Sequence, residues 1–318
     1  MPRGAFKTAL VLSGGSARAL THLGVLQEIQ RQGIQVDMIV GTSMGAIIGA
    51  LYAYYADASV VVDKMRKLVE SETFQKTLSI AAEDVPTVLP DSLLNRFVWL
   101  FRRGVYYTHS MIRSTLVPEE TYGEIMRLLI PEVPIEGLPI PFAAIAMDLL
   151  SGEEIVLSKG SLRKAVSASA AIPGILPPVE IRGRTLVDGG WVNNVPVAPA
   201  IAMGAHFVIA VDASLDIPSL GSLPTSAIES LFRCNEISRI TLTRDQRRHA
   251  DVLLLPKTGQ MYWANFGALE RCLLAGRGVV KENLKHLRRI RHLRRFMCAG
   301  GLLHPARIRG WRHPFTML

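Results

Sequence analysis

The chain has 318 residues, of which 49% are hydrophobic and 20% are charged, a composition that supports a large core and excludes a disordered chain. Its formal net charge is +9, but residues 276–318 carry eleven Lys or Arg and one acidic residue, Glu282. The first 275 residues are therefore nearly neutral, which places the basic character in the C-terminal end rather than in the main domain.

The first 56 residues predict two successive units of strand, glycine-containing turn and helix. Leucines at three-residue steps follow the first turn, and a short apolar run precedes the second, as is typical of such segments. This succession predicts the beginning of a parallel α/β sheet. The predicted elements are strands at 7–12 and 36–40, helices at 17–32 and 46–56, and the tight turn Gly41–Gly45.

The remainder of the chain predicts a helical insertion followed by further strands. Residues 57–140 show no clear strand pattern and read as mostly helical, forming a candidate lid. We therefore expect one α/β domain over residues 6–275, which includes this insertion, and a basic extension over 276–318 that becomes disordered from Ala299 onward. Strands are predicted at 142–147, 154–157, 207–212 and 252–255, with a hairpin over 179–187 and a helix over 162–169.

A G-x-S-x-G pattern, Gly41-Thr42-Ser43-Met44-Gly45, marks Ser43 as a candidate nucleophile. In a sharp turn between strand and helix, glycines two residues before and after the serine remove Cβ atoms that would clash. The N-terminus of the following helix would also favour negative charge developing at the site. The alternative interpretation is a tight turn that only packs a helix against its strand.

The turn after the first strand, Ser13-Gly14-Gly15-Ser16-Ala17-Arg18, offers consecutive N–H groups with few side chains in the way. Such a nest can bind an oxyanion. A dinucleotide-binding turn is the alternative, since Asp37 lies near the distance expected for its acidic residue. However, Ser16 and Ala19 occupy two of the positions that this alternative reserves for glycine.

Asp188 is the candidate general base. It lies in Val187-Asp188-Gly189-Gly190, where a predicted strand ends, and sites in open parallel sheets form at the carboxyl ends of strands. A carboxylate within hydrogen-bonding reach of a serine hydroxyl can accept its proton directly. A triad with histidine is the usual alternative, but no downstream histidine lies in a motif that would position it. Asp188 could also belong to an ordinary Asp-Gly turn.

Several ordered blocks of the sequence resemble the patatin-like phospholipase family, in particular bacterial members similar to the catalytic domain of neuropathy target esterase. The resemblance covers roughly residues 6–275 and is loosest over 57–140. The blocks that carry it are Leu12–Arg18, His22–Leu26, Asp37–Ala46, Asp148 with Ser151–Glu153, Ala165–Pro173 and Asp188–Pro196.

The resemblance implies a three-layer α/β sandwich with a mostly parallel central sheet. It implies a serine lipid acyl hydrolase of the phospholipase, lysophospholipase or carboxylesterase type, which acts on a phospholipid or other fatty-acyl ester through an acyl-serine, without a metal or an organic cofactor. The implied site residues are the catalytic dyad Ser43 and Asp188, the oxyanion-hole residues Gly14, Gly15, Ser16 and Arg18, and the supporting glycines Gly41, Gly45, Gly189 and Gly190.

Two departures from the family pattern leave other functions open. The family usually has glycine where this chain has Ser16 and Ala19. One alternative is therefore a catalytically weak regulatory or membrane-associated protein that keeps the fold. Another is an acyltransferase that uses the same acyl-serine.

The basic end contains an amphipathic pattern over residues 281–296. Apolar residues at every third position from 284 to 296, set among Lys and Arg, predict a helix with an apolar stripe beside a basic face. Such a helix fits an anionic membrane surface, and packing of the stripe against the domain is the alternative. No nucleic-acid partner is expected. Because no apolar run is long enough for a signal peptide or a membrane span, we expect a cytoplasmic protein, peripheral at the inner face of the membrane.

Overall fold

A mixed sheet of nine strands forms the centre of the molecule in the computed structural model, which describes residues 6–83, 115–221, 223–259, 261–300 and 315–318. The strands are β1 (Thr8–Leu12), β2 (Met38–Thr42), β3 (Phe142–Asp148), β4 (Glu154–Leu157), β5 (Val179–Ile181), β6 (Arg184–Asp188), β7 (Phe207–Val211), β8 (Val252–Leu254) and β9 (Phe315–Met317). Their order is β5-β6-β3-β2-β1-β7-β8, with β4 paired to β3 and β9 paired to β4. The central strands β3, β2, β1, β7 and β8 are parallel, whereas β4 and β6 are antiparallel to β3.

Helices cover both faces of this sheet. The α-helices are α1 (Thr21–Arg31), α2 (Met44–Tyr55), α3 (Ala58–Glu70), α4 (Glu72–Glu83), α5 (Glu119–Leu129), α6 (Leu162–Ala170), α7 (Val197–Ala202), α8 (Ala227–Arg247) and α9 (Leu269–Ala299). Short 3-10 helices cover Ser16–Leu20, before α1, and Gly189–Trp191, after β6. Within the described part of the chain, every helix is too short or too polar to cross a lipid bilayer.

The central strands send alternate side chains into two cores. On one face, Leu10 and Leu12 of β1 join a large core with α1, α2 and α9. On the other face, Ala9 and Val11 join a smaller core with α7. Because both faces are covered, these strands are almost wholly apolar, as parallel strands buried on both sides usually are. The predicted three-layer α/β sandwich with a mostly parallel sheet is therefore confirmed.

Strand β3 brings two distant segments of the chain together. Ala144 and Ile145 pair with β2 and also with β4, so these two strands occupy opposite edges of β3. Ala146 pairs with β4 and with Asp188 of β6. Strand β6 therefore lies on the same edge of β3 as β2, and its pairing begins where the pairing with β2 ends, at Ile145. The carboxyl ends of β2 and β6 therefore meet beside the centre of β3.

The predicted elements are present with small shifts at their ends, and one prediction is wrong. The second strand lies at Met38–Thr42, two residues later than expected, and the hairpin over 179–187 is formed by β5 and β6. The disorder expected from Ala299 onward is contradicted at the last residues, because Phe315–Met317 pairs with the edge strand β4. An edge strand offers unpaired backbone groups, and three residues carry too little pattern to reveal such a pairing.

The described part of the 57–140 insertion contains the helices α3, α4 and α5. Residues 84–114, which include the centre of the candidate lid, lie outside the described residues. At the other end of the chain, α9 runs without a break through residues 275 and 276, where the basic extension was expected to begin.

Helix α9 is joined to the domain by a close crossing with α1. A Cβ atom on Gly276 would lie 2.1 Å from the carbonyl oxygen of Thr21, and one on Gly24 would lie 2.2 Å from the carbonyl oxygen of Leu273. The two backbones are therefore in contact, and a side chain at either glycine would push the helices apart.

The apolar stripe of the basic segment is only partly covered by this packing. Leu287 is fully buried, and Leu284 and Ile290 pack against the larger core. By contrast, Leu293 and Phe296 are 46% and 71% exposed. Packing against the domain therefore accounts for the first half of the stripe, and the last turns of α9 remain exposed.

Candidate active site

Ser43 lies in the sharp turn between β2 and α2. Its backbone has φ 56° and ψ −126°, a conformation that side-chain-bearing residues rarely adopt and that costs about 1–3 kcal/mol. A Cβ atom on Gly41 would lie 2.5 Å from the carbonyl oxygen of Gly45, and one on Gly45 would lie 2.3 Å from that of Leu12. Both glycines of the motif are therefore required by the close approach of backbone, as the sequence predicts.

Asp188 lies at the end of β6, on the edge of β3 where β2 ends. Its carboxylate accepts a hydrogen bond from the Gly190 N–H at 2.8 Å, and it lines the same cavity as Ser43, whose hydroxyl is near enough to lower the pKa of the carboxyl. A Cβ atom on Gly189 would lie 2.4 Å from the carbonyl oxygen of Ile145, so glycine allows the chain to turn tightly over β3. The structure therefore brings together two side chains that are 145 positions apart in the sequence.

The pKa of Asp188 is raised to about 6, chiefly because the carboxyl is buried. The hydrogen bonds from Ser43 and from Gly190, and the positive charge of Arg239, act in the opposite direction and limit the rise. A carboxylate with this pKa is mostly ionised at neutral pH, yet it is a stronger base than an exposed aspartate. This combination suits the acceptance of a proton from a serine hydroxyl.

The turn after β1 places a row of backbone N–H groups beside Ser43. Gly14, Gly15 and Ser16 line the same cavity as Ser43 and Asp188, and a Cβ atom on Gly14 would lie 3.1 Å from Ser43 Cβ. Within the described residues, the N–H groups of these three residues donate no hydrogen bond, whereas that of Ala17 donates to the Trp263 carbonyl. This arrangement can receive the oxygen of a substrate that becomes negatively charged.

Ser16 and Arg18 are the two predicted oxyanion-hole residues of this turn that carry a side chain. Ser16 has φ 49°, in the left-handed region that favours glycine, so this departure from the family pattern is accommodated at a small conformational cost. Arg18 is 6% exposed and lines the cavity, and its Nη1 donates to the Met261 carbonyl at 3.2 Å. Burial lowers the pKa of Arg18.

None of the described histidines lines the cavity, although residues from eight separate parts of the chain do. His22 lies beneath the turn, where its Nε2 is 2.8 Å from the carbonyl oxygen of Ser13. Burial lowers the pKa of His22 to about 4, so its ring is neutral and supports the turn as a hydrogen-bond donor to that carbonyl. The described residues therefore offer Ser43 a carboxylate rather than an imidazole.

Three residues near Ser43 were not assigned a role from the sequence. Ser169 of α6 accepts a hydrogen bond from the Ser43 N–H at 3.0 Å, and thus secures the strained turn. Asn194 lines the cavity between Gly14 and Gly190, and both polar atoms of its side chain are buried without a partner among the described residues. Arg239 of α8 also lines the cavity. The Ser169 and Asn194 positions lie within blocks of the family resemblance, whereas no motif marks Arg239.

The cavity extends well beyond the Ser43 hydroxyl and has a volume of about 680 Å³. Much of its wall is apolar, with contributions from residues such as Leu116, Ile172, Ile175, Phe232 and Trp263. A space of this size can hold a long apolar chain next to the reactive serine.

Comparison with known proteins finds similar sequences over more than half of the chain. The family model for patatin-like phospholipases matches residues 10–201. An NTE family protein of Mycobacterium tuberculosis is 30% identical over 205 residues, which are 64% of this chain and 48% of that protein. Patatin-like phospholipase domain-containing protein 6 of Homo sapiens is 33% identical over 206 residues, 64% of this chain and 13% of that protein. Lysophospholipase NTE1 of Saccharomyces cerevisiae is 30% identical over 204 residues, 64% of this chain and 10% of that protein.

The matched region therefore spans about half of the mycobacterial relative and a small part of the other two. Among solved structures, human GIVD cytosolic phospholipase A2 aligns with a TM-score of 0.42 and 12% identity, over 94% of this chain and 60% of that chain. VipD from Legionella pneumophila aligns with a TM-score of 0.42 and 12% identity, over 89% and 67% of the two chains. With the family model covering more than half of its residues, the chain belongs to the patatin-like phospholipase family.

Proposed function

We propose that this protein is a serine acyl hydrolase that cleaves the ester bond of a phospholipid, a lysophospholipid or another fatty-acyl ester. The observation that carries the proposal is that Ser43 and the buried Asp188 carboxyl line the same largely apolar cavity, with Ser43 near enough to lower the pKa of Asp188. Family membership supports the same chemistry, since relatives of this chain bear the names phospholipase and lysophospholipase.

In the first half of the proposed reaction, Ser43 Oγ attacks the carbonyl carbon of the ester while its proton passes to Asp188. The carbonyl oxygen becomes an oxyanion and accepts hydrogen bonds from the N–H groups of Gly14, Gly15 and Ser16. The bond to the alcohol then breaks, the alcohol takes the proton from Asp188, and the acyl group remains on Ser43.

In the second half, a water molecule gives a proton to Asp188 and attacks the acyl-serine carbon. The tetrahedral intermediate uses the same oxyanion donors and collapses to the fatty acid, while Asp188 returns the proton to Ser43 Oγ. One ester and one water thus yield one alcohol and one acid, and the enzyme is regenerated without any cofactor in the scheme.

Labelling with a fluorophosphonate probe tests the nucleophile, because the probe reacts with activated serines. We expect the wild type to be labelled, S43A to remain unlabelled, and D188N to be labelled at least about a hundredfold more slowly, because the proton of Ser43 then has no acceptor. S230A, which changes an exposed serine on α8, is the matched control and should label like the wild type. Absence of labelling in the wild type would favour the catalytically weak alternative.

Product analysis tests the substrate class. Phospholipids, lysophospholipids and simple esters of graded chain length should release fatty acid in the wild type but not in S43A. The apolar wall of the cavity predicts that kcat/KM rises with acyl-chain length, since each buried methylene group contributes about 0.8 kcal/mol. Transfer of the acyl group to added glycerol or lysolipid, in place of release to water, would identify an acyltransferase instead.

A further inference from the structure

Helix α8 lies beyond residues 10–201, the region that the family model matches, yet it forms one wall of the cavity. Gln246 of α8 accepts a hydrogen bond from the Asn194 N–H at 3.0 Å and donates to the Val192 carbonyl at 2.6 Å. The helix therefore holds the loop that follows Asp188 in place from outside the matched region.

Arg239, two turns earlier on α8, faces the beginning of the same loop. Its Nε and Nη2 donate to the Glu236 carboxylate, each at 2.9 Å, and its guanidinium carbon lies 5.6 Å from the centre of the Trp191 ring. These contacts fix the guanidinium from two sides, and the side chain is only 20% exposed. An arginine held in this way places its charge at a defined position rather than averaging it over many rotamers.

The remaining nitrogen, Nη1, is directed toward the Asp188 region. A Cβ atom on Gly190 would lie 3.5 Å from Arg239 Nη1 and 3.1 Å from Asp188 Oδ1, so both groups lie close to this glycine. The positive charge therefore acts on Asp188 across a short distance in a buried environment.

Other charged and titratable groups surround this part of the cavity. Tyr122 of α5 donates its hydroxyl hydrogen to the Ser167 carbonyl, and burial, followed by the charge of Asp188, raises the pKa of its phenol. Asp212, after β7, is paired with Arg247 at 2.6 Å. Of these groups, Arg239 is the cation whose charge lowers the pKa of Asp188. The other groups are Ser43 in the turn between β2 and α2, Arg18 after β1 and Glu236 on α8.

We propose that Arg239 is a positioning residue that keeps the Asp188 carboxylate in the anionic form required of a general base. The proposal rests on the proposed function, in which Asp188 accepts the Ser43 proton. Through Arg239, helix α8 sets the pH range in which the dyad works, although this helix lies outside the family-matched region. Burial alone favours the neutral carboxyl, and the charge of Arg239 opposes this effect.

The pH dependence of kcat/KM for a neutral ester such as p-nitrophenyl butyrate tests this role. For the wild type, we expect the acidic limb to have its midpoint near the pKa of Asp188, about 6. In R239Q, the midpoint should rise by about one pH unit, which corresponds to about threefold lower kcat/KM at pH 6.5 and near-complete recovery at pH 8.5. R239K keeps the charge and should return the midpoint most of the way to the wild-type value.

The matched control is R244Q, which removes an arginine of the same helix that pairs with Asp216 at the surface and does not line the cavity. Its midpoint should equal that of the wild type. E236Q is a second variant, to be used if R239Q does not fold. It removes the compensating negative charge while Arg239 remains, so its midpoint should be equal to or lower than that of the wild type.

An R239Q midpoint equal to that of the wild type, or a loss of activity that is the same at pH 6.5 and 8.5, would overturn the role assigned to Arg239. A midpoint raised in E236Q would do the same. These outcomes differ from a failure of the proposed function, in which the wild type itself would show neither fluorophosphonate labelling nor esterase activity.

Discussion

The burial of Asp188 predicts that the residue assigned to catalysis lowers the stability of the fold. Its pKa is about 6 in the folded protein, compared with an ordinary value of 3.8. A shift of about two units corresponds to about 3 kcal/mol of stability that is lost when the carboxyl ionises. Because the pKa is raised on folding, the full stability is present below pH 3.8, and it falls as the pH increases through about 6.

Asparagine at this position has nearly the same shape and can still accept hydrogen bonds from Ser43 and Gly190, but it cannot ionise. D188N should therefore be more stable than the wild type by up to about 3 kcal/mol at pH 8, and by only about 1 kcal/mol at pH 4.5. It should also be almost inactive. Urea unfolding followed by circular dichroism at the two pH values measures both differences.

D148N provides a matched comparison with the opposite expected sign. Asp148 is also buried, which by itself raises its pKa, but bonds from the Leu150 N–H, Ser151 and Arg184 outweigh burial and hold its pKa below the ordinary value. Its contribution to stability is therefore present at both pH values and is lost only below about pH 4, so D148N should be destabilised at pH 8 and at pH 4.5. If D188N were destabilised equally at both pH values, the reasoning about Asp188 would be refuted.

Three further substitutions test the surroundings of the site. S169A should leave the buried Ser43 N–H without its acceptor, which costs about 1–3 kcal/mol in urea unfolding and lowers kcat; an unchanged stability would contradict this role. N194A removes an unpartnered amide that faces the cavity and should lower kcat/KM at least about tenfold with little change in the unfolding midpoint, whereas full activity would exclude a direct role. G276A should destabilise the protein by about 1–3 kcal/mol, because the added Cβ would clash with the α1 backbone. G278A, where no atom lies within 4 Å of the added Cβ, is the control and should be neutral or stabilising.

The local parts of the site could be predicted from the sequence because each has its own short-range signal. The turn around Ser43 needs glycines at both flanks, and the pattern records that steric requirement. Asp188 is marked by the two glycines after it, of which Gly189 is required by the backbone of β3. What the pattern does not contain is the register of β3, which alone places these two turns next to each other.

Helix α8 could not be predicted from periodicity because much of its inward face is polar. Arg239 and Gln246 contact the site loop through charge and hydrogen bonds, and Thr243 is buried with its hydroxyl bonded to the Arg239 carbonyl. An apolar stripe, the usual signal of a packed helix, is therefore weak in this segment. The same polar face explains why the positioning role inferred for Arg239 has no sequence motif.

The shared edge of β3 has a mechanical consequence for the site. Thr42, the residue before Ser43, pairs with Ile145, and Asp188 pairs with the next residue, Ala146. The strand positions that hold the hydroxyl and the carboxylate are therefore set by one planar peptide group of β3, which fixes the spacing between them.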